Sequence, residues 1–434
     1  MLDEKMELVE IHPNAKNDWI NQRDGLFDTL IPIGDKKDKT GQTAFEPYYS
    51  RGVATAKDSW CYNFSEQELA KNMRYTIAHY MSCLEGEPIY DSTKITWGRS
   101  MLQAHDKKKI SIFEPTHINM SLYRPFNKQN MYFDRLWNDM VYQIPRLFPT
   151  PKHKNRVICV SGIGVTKPFS CLMTDKIPDI QVMMNGQCFP LYVYEKVDAG
   201  AQLSLFDKGK EEYRQESGIT DFMLKRCQAE FGEKVTKEDI FYYIYGVLHS
   251  PEYRKRFESD LKKSLARIPL CKTGAEFAAF VKAGRKLGDL HCGYENVKPW
   301  KDCVVDVKPG YDSPYAVTKM RFAKKDSPED ENKNGKLERR EREDRSRIAY
   351  NDRVTIRGIP LAAYDYVVNG KSAIEWIMER YQVTTHKESG IVNDPNKYLE
   401  ECGNERYIVD LILKVVTVSM ETQKIVSTLP KLEF

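Results

Sequence analysis

A chain of 434 residues and 50.5 kDa is long enough for two or three domains with buried cores, which excludes a peptide hormone or a disulfide miniprotein. Hydrophobic residues make up 41% and charged residues 29%; with a mean hydropathy of -0.58 and no apolar run of membrane length, a membrane protein is excluded as well. Sixty-six basic against 62 acidic residues leave a net charge of +4, too small to mark a nucleic-acid binder, so any basic surface has to be found locally.

The first 65 residues, rich in Asn, Asp, Gly and Lys with short apolar words such as Leu30-Ile31-Pro32-Ile33, read as a linker lying across something else. Ser65 with Glu68 three residues on is a capping box, and Leu69, Met73, Ile77, Tyr80, Met81 and Leu84 then carry helical spacing up to Gly86. Residues 66–205 form the strand-rich part, with strands predicted at Ile118–Tyr123, Met131–Phe133, Val157–Val160, Phe169–Met173 and Phe189–Tyr194. The polar stretch 195–217 marks a boundary, after which a helical subdomain, residues 206–305, is predicted at Thr220–Phe231, Lys237–His249, Pro251–Leu265 and Thr273–Leu287. Residues 306–434 form a mixed α/β part with strands at Val317–Lys324 and Arg347–Arg357, a charged insertion at 326–345, and helices at Ser372–Tyr381 and Asn404–Leu429. The fold class is α+β.

Chemistry is then read largely by exclusion. Ten cysteines are scattered without a C-x-x-C pair and no signal peptide opens the chain, which points to reduced thiols and a cytoplasmic protein; eight histidines lack metal-ligand spacing, so no metal is expected. No Asn/Asp-Pro-Pro-Tyr/Phe tetrapeptide of an adenine methyltransferase occurs, and Asn393-Asp394-Pro395-Asn396 reads as a turn. Gly162-Ile163-Gly164 runs into Pro168 instead of a helix and is a turn; Gly370-Lys371-Ser372 lacks the first glycine of a phosphate-binding loop. Pro178-Asp179 has no nuclease partner, so no catalytic residue is assigned.

Between Met101 and Val160, ten Lys or Arg face four acids, with Phe113, Tyr123, Phe126, Tyr132, Phe133, Trp137 and Tyr142 interleaved. Cations and planar rings in this mixture suit a nucleic-acid surface, and equally an ordinary sheet with solvated lysines. A second cluster around Lys319, Arg321 and Arg345 is diluted: residues 319–357 hold 13 basic and nine acidic positions.

Longer words carry a resemblance. Gly52-Val53-Ala54-Thr55-Ala56-Lys57-Asp58-Ser59-Trp60-Cys61-Tyr62-Asn63-Phe64-Ser65 and Leu122-Tyr123-Arg124-Pro125-Phe126 come first, then Ile240-Phe241-Tyr242-Tyr243-Ile244-Tyr245-Gly246-Val247-Leu248-His249-Ser250-Pro251 and Tyr350-Asn351-Asp352-Arg353-Val354-Thr355-Ile356-Arg357-Gly358-Ile359-Pro360. In this order they resemble the C-terminal target-recognition region that follows the adenine-N6 methyltransferase core of type ISP restriction-modification enzymes. The resemblance implies that residues 1–65 continue from a methyltransferase core outside the chain and that the chain reads duplex DNA, presenting an adenine to that core. It also implies methyltransferase and helicase domains as partners, with S-adenosylmethionine, ATP and Mg used by the parent enzyme and no cofactor in this chain. Arg124, Lys128, Lys152, Lys154, Arg156, Lys167, Lys319 and Arg321 are the expected DNA-binding residues. The alternative is a protein-interaction scaffold without DNA binding, distinguishable by its salt response.

Overall fold

The computed structural model describes residues 10–37, 40–197, 213–310, 313–328 and 338–434. Sheet I runs Ser50–Arg51, Gln187–Pro190, Val157–Val160, Cys171–Thr174, all antiparallel. Its central strands read as unbroken apolar runs because both faces are covered. Val157, Cys159, Leu172 and Cys188 enter one core, while the alternate residues Ile158, Val160, Cys171, Met173 and Phe189 enter a second. The strand expected over Phe189–Tyr194 is two: Pro190 ends the first, and Tyr192–Lys196 pairs instead with Tyr213–Ser217.

Sheet II orders Tyr62–Asn63, Asn127–Tyr132, Ile118–Arg124 and Ile177–Pro178, the last parallel and at an edge, where a proline is tolerated. Sheet III orders Val304–Val307, Val354–Arg357, Glu343–Ala349 and Arg321–Lys324. Four helices carry most of the remaining packing: α1 (Glu66–Leu84), α2 (Lys237–Val247), α3 (Gly274–Cys292) and α4 (Tyr407–Ser427). Ser65 accepts from the amide of Glu68 as the capping box predicts, but the carboxylate of Glu401 supplies the rest of the α1 cap, accepting from the amides of Glu66 and Gln67. Every residue of α2 from Ile240 to Val247 is buried. It crosses α3 at Gly246 and Gly284, so closely that a Cβ at Gly284 would lie 1.9 Å from the carbonyl oxygen of Tyr242.

Several expectations are corrected. The segment 1–65 is not a linker from Gly25 onward: Ile31–Pro32 pairs with Arg267–Ile268, and Phe27, Ile33, Ala44, Phe45 and Tyr49 fill the second core. Its short apolar words lack periodicity because each contributes one or two side chains to a gap between sheet I and the helices; residues 1–9 lie outside the described residues. Of the charged insertion 326–345, residues 329–337 lie outside the described residues, whereas Arg339–Arg342 is a helical turn and a paired strand begins at Glu343. Ion pairs such as Arg345–Glu375 and Arg347–Asp344 let charged residues enter that sheet. Asp394 caps the helix Pro395–Cys402, accepting from the amide of Asn396, where a turn was expected. Cores also cross the expected boundaries: Phe45, Ile158 and Phe189 pack with Phe241 and Phe280, and Leu122 and Met131 share a core with Trp376 and Ile412. Among the described residues no helix is long and apolar enough to cross a membrane.

Candidate nucleic-acid interface

The start of the Ile118–Arg124 strand, the 150–156 loop and Lys176 border a cleft of about 690 Å³. This cleft shares Arg156 and Asp175 with a larger one of about 1190 Å³, walled by α3 and α4. The two form one trough between the strand-rich half and the helices. Its cations are Lys154, Arg156, Lys176, Lys282, Lys286 and Lys424; its acids are Asp175, Asp289 and Glu421.

Pairing sorts these cations. Arg156 is held, with Nη1 2.7 Å from Asp289 and donating to the Tyr242 hydroxyl at 2.9 Å, and these partners raise its pKa against the opposing effect of burial. Lys176 lies 3.2 Å from Asp175 and Lys424 3.6 Å from Glu421. Lys154, Lys282 and Lys286 are exposed and have no carboxylate partner among the described residues. The i, i+4 spacing puts Lys282 and Lys286 on one face of α3, while Gly284, Leu287 and Gly288 face the core. From the sequence this helix is an element of the helical subdomain, with no DNA contact assigned to it. The signal left unused was the second stripe, Lys282 and Lys286 beside Arg285, opposite the apolar one.

The eight expected DNA-binding residues divide. Lys152, Lys154 and Lys167 are exposed, as are Lys319 and Arg321. These last two border a separate cleft of about 470 Å³ with Arg339, Arg340, Arg345 and Lys371. Three of that cleft's cations are neutralised by Arg345–Glu375, Arg339–Glu343 and Lys371–Glu379 pairs.

Arg124 and Lys128 are structural in their geometry. Arg124 donates to Asp179 at 2.7 Å and to Asp58 at 3.4 Å, stacks on Tyr123 and is largely buried. Asp179 is sealed beneath it, also accepting from the Tyr62 hydroxyl and the Gln181 amide. Burial pushes the Asp179 carboxyl up to about 7 despite the pull of Arg124. Asp58 of the first long word and Tyr123 and Arg124 of the second thus meet Asp179 in one partly buried ion-pair network. Lys128 lies 2.8 Å from Glu295 and over the ring of Tyr294. Of these two, neither presents a free charge to a phosphate.

Neither of two Cys–His contacts among the described residues is a nucleophile centre. Cys83 Sγ lies 3.6 Å from His79 Nε2, and burial raises the pKa of that thiol and lowers that of the imidazole. Cys171 Sγ sits 3.6 Å from His249 Nδ1, but both are buried, and burial pushes the thiol up and the imidazole well down, so both are neutral. Among the described residues no three side chains gather as metal ligands. The arrangement suits binding a polyanion in a trough.

Comparison with known proteins agrees in the family. A search of curated proteins finds no match. Among solved structures, the chain is similar to an ATP-dependent type ISP restriction-modification enzyme, LlaBIII, bound to DNA (34% identity, TM-score 0.82, covering 98% of this chain and 25% of that one). It is also similar to a nuclease-deletion mutant of the type ISP enzyme LlaGI in complex with a DNA substrate mimic (33%, 0.78, 99% and 37%) and to a DrdV–DNA complex (31%, 0.79, 99% and 41%). The chain therefore spans less than half the length of each of these proteins. The sequence profile of the type ISP C-terminal specificity domain matches residues 44–411, and the chain belongs to that family.

Proposed function

We propose that this chain is the duplex-DNA recognition module of a type ISP-like restriction-modification enzyme, presenting the target adenine to a methyltransferase domain outside it. The observation that carries this reading is the trough whose exposed lysines, Lys154, Lys282 and Lys286, have no carboxylate partner among the described residues, in a chain whose structural relatives are held in DNA complexes. Unpaired lysines on a surface rich in acids elsewhere attract phosphate, because each neutralised phosphate releases condensed counterions. Lys152, Lys154, Lys167, Lys282 and Lys286 then hold the backbone, with Lys319 and Arg321 as a second contact, while loop side chains read base edges. The parent enzyme supplies S-adenosylmethionine, ATP and Mg chemistry through its methyltransferase and helicase domains, and it works in the cytoplasm.

The test is binding of the chain to a mixed-sequence duplex over a range of salt. The log–log slope should be about -0.9 for each phosphate contacted. A flat response without measurable affinity would refute the reading and favour a protein-interaction scaffold. Selection of bound sites from a random duplex pool, with and without the methyltransferase neighbour, then tests sequence reading.

A further inference from the structure

Residues 107–113 carry a feature that the trough does not use. The helix Arg99–Asp106 ends where Lys108 takes a left-handed conformation (φ 47°), its amide donating to His105 and that of Lys109 to Ala104. The chain then leaves regular secondary structure and is pinned from the core. The Tyr80 hydroxyl donates to the carbonyl of Lys109 at 2.9 Å, Trp137 Nε1 donates to Ser111 Oγ at 3.1 Å, and the Glu114 amide donates to the Tyr132 hydroxyl at 3.0 Å. Phe113 stacks on Tyr132. Ser111 and Phe113 are therefore held inward and are half-buried, while the residues that alternate with them are exposed. Ile110 and Ile112 are 73% and 71% exposed, among the most exposed large apolar side chains described.

Around these isoleucines cations outnumber acids. Lys107, Lys108 and Lys109 precede them, Arg74 lies over the ring of Phe113, and none of the four has a carboxylate partner among the described residues. Asp106 and the exposed Glu114 are the two acids that flank the segment, against these four cations. Protein interfaces are depleted of lysine at their centres, whereas proteins that kink DNA set aliphatic wedges between cations. The position fits the same partner: Ile112 lies six residues before Ile118, which borders the trough, so the two are at most about 20 Å apart, the length of about six base pairs.

We propose that Ile110 and Ile112 form a wedge that presses into a base step of the duplex lying in the trough, with Lys107 to Lys109 on the adjacent phosphates. This rests on the DNA-binding reading above. Because the segment is already pinned, inserting it requires little ordering of the protein, and the cost falls on unstacking the DNA, least at TA and CA/TG steps.

The probe is a set of mixed-sequence duplexes, each carrying 2-aminopurine beside a TA or CA/TG step, titrated with the full chain; an unstacked 2-aminopurine brightens. The native chain should brighten at least one duplex of the set. Ile110→Ser with Ile112→Ser should abolish the brightening and weaken binding by about tenfold or more, the effect of withdrawing a buried aliphatic side chain, at unchanged melting temperature. Lys107→Ala and Lys109→Ala should each lower the salt slope by about one. Native binding with brightening and affinity that the isoleucine variant leaves unchanged would overturn the wedge alone and leave this patch to a protein partner. Absence of any salt-dependent binding by the native chain would overturn the DNA reading and the wedge with it.

Discussion

Lowering the pH from about 7 to 5 should loosen the helical half of the protein through two buried histidines. His291 on α3 is 2% exposed and meets three other elements. The Tyr245 hydroxyl accepts from the Met173 amide at 2.8 Å, so its own proton turns to His291 Nδ1 at 2.6 Å. Nε2 then carries the ring proton, facing Thr422 of α4 at 3.0 Å and Tyr366 at 3.1 Å. The neutral ring satisfies every group in this network, whereas a second proton on Nδ1 would confront the tyrosine O–H. Burial, with the charge of Arg254 second, pushes His291 down to about 3; burial, Arg254 and His291 likewise push His249 well down. For a group whose folded pKa is depressed below the unfolded value of about 6.5, the stabilisation is present above 6.5 and is lost as pH falls towards the folded value. Below about pH 6 each ring costs about 1.4 kcal/mol per pH unit, and both together about 2.7, with about 5 kcal/mol at stake in His291 over its whole range. Urea unfolding followed by tryptophan fluorescence at a series of pH values measures this. His291→Gln retains one acceptor and one donor but cannot titrate, so it should be less stable near neutrality and yet show a shallower pH dependence, by about 1.4 kcal/mol per pH unit. Parallel native and variant curves would refute the assignment of a buried neutral imidazole at this position.

Lys282→Ala and Lys286→Ala should each reduce the salt slope of DNA binding by about one while leaving the melting temperature unchanged; an unchanged slope would remove α3 from the interface. Arg124→Ala should cost about 3–5 kcal/mol of stability, because it leaves the sealed Asp179 carboxylate without its cation. That cost should be larger at about pH 8 than at pH 6, since Asp179 titrates near 7 and can take up a proton at the lower value. A lowered salt slope at unchanged stability would instead return Arg124 to the DNA surface. Gly284→Ala forces α2 and α3 apart and should destabilise by about 1–3 kcal/mol or prevent folding, read as a fall in melting temperature; native stability in this variant would contradict the close crossing.

Local structure was legible wherever neighbours in the chain determine it. Thr220, Thr273 and Ser372 cap the helices their spacing predicts, each accepting from the amide three residues on. Val157–Val160 is a strand with the predicted bounds, and the long words between Gly52 and Pro360 identify the family that the profile match establishes. The segment from Gly25 to Phe45 was misread because its buried residues belong to a surface built by other parts of the chain, which leaves no period of two or 3.6 to detect. The same limit governs the interface. Composition shows that residues 101–160 are rich in cations, but whether a cation is free depends on where distant carboxylates fold. Arg124 meets Asp179, Lys128 meets Glu295 and Arg156 meets Asp289, each partner at least 55 positions away, whereas Lys282 and Lys286 meet none among the described residues. A charge is written in the sequence, but its neutralisation takes place across a few ångströms of space, and only the tertiary structure decides which groups come that close.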